Sequence, residues 1–74
     1  MPKLPRNLKP LKLIQILERN GFWNVGGKGS HVRMKHSDGR WTQVAVHPKP
    51  IPQGTLKAIL KQSGVTVEDL LKNM

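Results

Sequence analysis

The run His31-Val32-Arg33-Met34-Lys35-His36-Ser37-Asp38-Gly39-Arg40-Trp41-Thr42-Gln43-Val44-Ala45-Val46 carries the period of a β-hairpin. From His31 to His36 the side chains alternate, with Val32, Met34 and His36 pointing one way and His31, Arg33 and Lys35 the other. Ser37-Asp38-Gly39 is a turn signal, because Asp bonds nearby backbone and Gly accepts a left-handed conformation. Trp41 to Val46 is rich in β-formers and pairs back on the preceding strand; loops of two or three residues both fit, so the register stays open. Upstream, Phe22 to Val25 reads as a brief strand that runs into the flexible loop Gly26-Gly27-Lys28-Gly29.

Helices flank this sheet. Leu13, Ile14, Ile16 and Leu17 recur at helical spacing after Pro10, which suits a first helical turn, and Asn20-Gly21 is a helix stop. Before them, Pro2, Pro5 and Pro10 make residues 1–9 an extended basic arm. After the strands, the prolines of His47-Pro48-Lys49-Pro50-Ile51-Pro52 exclude helix and central strand. A second helix then runs from Pro52 or Gln53 to Ser63, with Leu56, Ile59 and Leu60 inward, Lys57 and Lys61 on its wet face, and Gly64 as its end. Thr66-Val67-Glu68-Asp69 opens a short last helix as a capping box. The expected architecture is α+β and two-layered: one domain over residues 1–74, three antiparallel strands with both main helices on one face and the other face bare.

Charge narrows the partners. Thirteen Lys and Arg stand against four Asp and Glu in 74 residues, a formal balance of +9. Such a field draws polyanions, of which nucleic acid is the commonest, and Lys or Arg contacts to phosphate supply its non-specific affinity. There is no cysteine, which excludes disulfides and thiolate metal sites and suits a reducing cytoplasm. No apolar run approaches the roughly 20 residues of a membrane helix, and the start of the chain has no signal-peptide pattern. A cytoplasmic location follows as an expectation.

Few residues are left to carry chemistry. Glu18, Asp38, Glu68 and Asp69 are scattered, whereas two-metal nucleases need clustered carboxylates. His31 and His36 fall on opposite strand faces, which weakens a zinc site with His47. Ser30 and His31 are strand neighbours on opposite faces with no Asp beside them, so a Ser-His-Asp arrangement is also weak. Metal-free RNA cleavage asks for less, because the ribose 2′-OH is itself the nucleophile. It needs a base, cations for the negative charge gathered at phosphorus, and an acid for the leaving 5′-oxygen. Histidine titrates in the right range to be that base. His31 stands among Lys28, Arg33 and Lys35, which suit phosphate. The same residues equally describe a phosphate-binding strand without catalysis.

Gly29-Ser30-His31 after a Gly/Lys loop, then Asp38-Gly39-Arg40, then Val44-Ala45-Val46-His47-Pro48, then Gly54-Thr55-Leu56-Lys57-Ala58-Ile59-Leu60-Lys61-Gln62-Ser63-Gly64 together resemble the HicA family, from about Leu11 to Val65. The resemblance implies a double-stranded-RNA-binding-like fold and metal-independent mRNA interferase activity with no cofactor. It also implies a toxin role in a type II toxin–antitoxin system and a HicB antitoxin partner, which is expected to cover the His31 face and the glycine loop. The family's catalytic histidine, in its Gly-Ser-His motif, corresponds to His31. Lys28, Gly29, Ser30, Arg33, Lys35, Lys57 and Lys61 are the candidate RNA- and phosphate-binding set. His47, which fits the family pattern at the end of the third strand, is a possible general acid or a turn-fixing residue. Ala45 stands where family members often carry proline, and a change at the strand edge is the expected result.

His36 is expected to face the helices or pack near Trp41, without a catalytic role. For Trp23 and Trp41, packing or antitoxin contact is expected ahead of base stacking. Two competing functions remain: a non-catalytic RNA-binding module, and a DNA-binding repressor, for which no helix-turn-helix pattern is visible.

Overall fold

A helix that opens on proline has no orphan N–H to satisfy at that position, and α1, Pro10–Arg19, begins this way without a side-chain cap. Its Leu13, Ile16 and Leu17 are fully buried, and it ends where Asn20 Nδ2 donates to the Ile16 carbonyl (2.8 Å) and Gly21 turns to positive φ. The computed structural model describes residues 3–74 and continues through β1 (Phe22–Asn24), β2 (His31–His36), β3 (Trp41–Ala45), α2 (Gln53–Ser63) and α3 (Val67–Lys72). Met1 and Pro2, the first residues of the expected arm, lie outside the described residues. The rest of the arm is docked rather than free. Leu8 is buried, its carbonyl accepts from Ile51 N (2.8 Å), and Gln53 Nε2 donates to the Leu4 carbonyl (3.2 Å).

The sheet is antiparallel in the order β1-β2-β3, with both long helices on one face, as in a double-stranded-RNA-binding-like fold. Phe22, Met34, Thr42 and Val44 point into the core with Leu17, Ile51, Leu56 and Leu70, while His31, Arg33, Lys35, Trp41 and Gln43 stay exposed on the bare face. Thr42 is buried yet satisfied, its hydroxyl donating to Gln62 Oε1 (2.9 Å). Two strands end sooner than their composition predicts. β1 stops at Asn24 and β3 at Ala45, although Val25 N and Val46 N still bond to the Arg33 and Ser30 carbonyls. The N-cap half of the expected capping box is present: Thr66 Oγ1 accepts from Asp69 N (3.1 Å).

The hairpin loop has three residues, which settles the register: Lys35 faces Trp41, Arg33 faces Gln43 and His31 faces Ala45. His36 N bonds the Arg40 carbonyl (2.8 Å), and Gly39, at φ 97°, closes the turn back to the His36 carbonyl. Asp38 Oδ1 accepts from Arg40 N and Oδ2 from Arg40 Nε (2.7 Å). Arg40 also crosses to α2, where its Nη1 donates to the Ser63 carbonyl at 2.5 Å, a favourable place for a cation at a helix C-terminus. Gly64, at φ 72°, takes the left-handed conformation that favours glycine, and a Cβ there would also push aside the Arg40 guanidinium, whose Nη1 would stand 2.6 Å away.

The Arg40 backbone N–H is the main cause that holds the Asp38 carboxyl below its ordinary value, helped by the Arg40 guanidinium and, less, by His36. A carboxylate whose folded pKa is depressed stabilises the fold above the unfolded pKa of about 3.9, and that stabilisation is lost as pH falls through the folded value. The melting temperature of the wild-type protein should therefore drop more than that of Asp38→Asn when thermal scans are taken from pH 5 down to pH 2. Parallel curves would remove Asp38 as the cause.

Candidate RNA-contact face

Three cross-strand rungs make the bare face, because directly paired residues in an antiparallel sheet share a side. Trp23, Lys35 and Trp41 form the first. Val25, Arg33 and Gln43 form the second, Val25 joining through the bond from its N–H to the Arg33 carbonyl (2.9 Å). His31 and Ala45 form the third. Ala45 therefore sits beside the candidate base and leaves the space above it free of a bulky side chain.

The glycine loop folds against the edge of β2. Asn24 Oδ1 accepts from Gly26 N (2.7 Å), Arg33 N donates to the Gly26 carbonyl (2.7 Å), and His31 N donates to the Lys28 carbonyl (3.0 Å). Gly27 is the tight point: a Cβ there would lie 1.9 Å from the His31 carbonyl oxygen. The loop leads into a strand and no helix N-terminus follows it. Between loop and strand lies a shallow depression of about 370 Å³, lined by Val25, Gly26, Gly27, Lys28, His31, Arg33 and Gln43, all of them exposed. Among the described residues, the Arg33 guanidinium lies 5.4 Å from the ring centroid of Trp41, a cation–π distance.

Of the residues singled out above, the structure brings Lys28, His31 and Arg33 to one depression, with Lys35 next along the same strand face and Gly29 and Ser30 in the turn that enters it. Lys57 and Lys61 are not among them. They lie on the outer face of α2, whose inner face packs on the other side of the sheet. His47 is exposed two residues beyond Ala45 and lines a separate groove with Lys9, Pro10, Leu11, Val46 and Pro48. His36 turns inward, edge-on to Phe22 (5.1 Å), with its Nδ1 3.1 Å from Asp38 Oδ1; Trp41 is across the sheet from it. Trp23 and Trp41 do not pack in the core at all: they are 46% and 52% exposed. Among the described residues no three His, Asp or Glu side chains gather to hold a metal ion, and no helix is long and apolar enough to cross a membrane.

Gln43 and Gly27 are site residues that sequence reasoning passed over. Gln43 could have been found from the hairpin, because a three-residue loop places it opposite Arg33. Gly27 was visible only as part of a flexible loop, because its constraint is the His31 carbonyl, four residues on in the chain, which the fold of the loop brings against it.

Residues 12–65 match the family described as HicA toxin of bacterial toxin–antitoxin. The chain belongs to the HicA toxin family. The matched span runs from within α1 to just past α2 and contains the whole sheet, the glycine loop and His31. No curated protein matches the chain. As a HicA toxin it has an antitoxin for a partner, and the depression at His31 falls inside the part of the chain that defines the family.

Proposed function

We propose that this HicA toxin is a metal-independent endoribonuclease that cuts mRNA, with His31 as general base, and that a HicB-like antitoxin restrains it by covering the His31 face. The observation that carries this reading is the placement of one exposed imidazole beside Lys28 and Arg33 in a depression open to solvent. In this reaction His31 takes the proton of a ribose 2′-OH, whose oxygen attacks the neighbouring phosphorus. Lys28 and Arg33, with Lys35 beyond, stabilise the added negative charge. The bond from phosphorus to the 5′-oxygen breaks, that oxygen takes up a proton, and a 2′,3′-cyclic phosphate remains. His47, two residues beyond β3 and in a separate groove, is the candidate donor of that proton. The amides of Gly29 and Ser30 are available to phosphate at the loop, while Lys57 and Lys61 add to the long-range attraction of RNA.

Purified protein incubated with RNA in excess chelator should give fragments that end in cyclic phosphate. RNA bound but intact under these conditions would make the protein a binding module, and cutting only after divalent ions are restored would end the metal-free reading.

A further inference from the structure

The chemistry proposed for His31 needs an imidazole and cations; it needs no indole. Yet both tryptophans of the chain stand on the His31 face, each about half exposed. The register sets Trp23 and Trp41 on either side of Lys35, about 10 Å apart across two strand spacings. Val25, Arg33, Lys35 and Trp41 line a second hollow of about 310 Å³, which shares Val25 and Arg33 with the depression at His31. The Arg33 guanidinium lies over the Trp41 ring, 5.4 Å from its centroid. None of the four acidic residues reaches this face: Glu18 is on α1, Asp38 in the hairpin turn, and Glu68 and Asp69 on α3. Flat apolar rings set among cations, with no carboxylate, complement a ligand that has a π-face and a negative backbone.

We infer that Trp41, with Trp23 beyond Lys35, is a stacking site for an unpaired nucleobase of the substrate, and that Arg33 and Lys35 hold the phosphates on either side of it. The inference rests on the RNA reading of this face, and it names the substrate class: RNA that is single-stranded beside the cut. Bases in a duplex already stack on one another and offer only their edges and 2′-hydroxyls, whereas bases of an unpaired strand offer their faces to aromatic side chains. From His31 to Lys35 is about 13 Å at roughly 3.3 Å per residue. The stacked base therefore belongs to a different nucleotide from the one whose 2′-OH is activated, and Trp41 is a positioning residue.

The test uses the full-length protein and a single strand of 2′-O-methyl RNA, which cannot be cut because its attacking hydroxyl is blocked. Two further probes are the same strand in a duplex and an abasic strand of equal length. The single strand should quench the indole fluorescence and bind more tightly than either of the others. Trp41→Ala should weaken single-strand binding by about 5- to 150-fold, the loss of one stacked base. It should leave abasic binding and the melting temperature unchanged, and Trp41→Phe should restore most of the affinity. Equal single-strand affinity in wild type and Trp41→Ala would overturn the inference, as would wild-type binding that does not distinguish the abasic strand. A Trp41→Ala protein that keeps RNA affinity and loses only its antitoxin would give the ring to the protein partner and overturn it too. Loss of the cleavage reading is visible separately, as wild-type protein that never cuts natural RNA in chelator.

Discussion

His31→Ala should yield a folded, antitoxin-binding protein whose cleavage of RNA falls by about 10²- to 10⁴-fold, the usual contribution of a positioned general base, and whose expression should no longer arrest growth. The imidazole is exposed and makes no side-chain hydrogen bond among the described residues, so its removal should change stability by less than about 0.5 kcal/mol. That separation of function from fold gives the substitution its value. Its thermal melt should overlay the wild type, with growth and mRNA levels scored on expression of each. A folded His31→Ala protein that still halts growth and removes mRNA would hand the role of base to another residue.

Gly27→Ala should cost nearly as much without touching a reacting group. A Cβ at this position meets the His31 carbonyl oxygen at 1.9 Å and the carbonyl carbon at 2.9 Å. Both are backbone atoms, so no rotamer change relieves the clash, and either the loop or the start of β2 must move. The bonds from Arg33 N to the Gly26 carbonyl and from His31 N to the Lys28 carbonyl bind those two segments together. A shift of either segment should therefore disturb how Lys28 and His31 are set relative to each other. A displacement of about 1 Å in a catalytic arrangement is enough to lower a rate about 100-fold. Gly54→Ala is the matched control, because its Cβ enters open space on α2. Cleavage by Gly27→Ala at the rate of Gly54→Ala would show that the loop does not position the site.

Much of this architecture was legible because its signals are local. The alternation from His31 to His36, the Asp38-Gly39 turn, Pro10 at the head of α1 and Thr66 at the head of α3 each act within a few residues, and all are where the chain suggested. The register was open because two turn types shared one composition. What decides for three residues is the pair of bonds from Arg40 to the Asp38 carboxylate, together with the reach of Arg40 to Ser63, 23 residues on. Contacts at that separation leave no periodic trace. The same limit hid the docking of Leu8 against Ile51 and the distance between Lys57 or Lys61 and His31. Core packing, one of the two roles expected of the tryptophans, failed for another reason. Large apolar residues are read as buried by default, and only the register shows that Trp23 and Trp41 share the outward parity of Lys35.

The open form of the His31 depression bears on how such a toxin can be switched off. Small molecules are held tightly by walls that remove most of their surface from water, and every residue that lines this depression is itself exposed. A metabolite would find little purchase there, so restraint has to come from something broad enough to roof the sheet. Negative surface would suit it, to answer the uncovered cations. Degrading that roof, rather than releasing a bound effector, then becomes the natural way to set the toxin free.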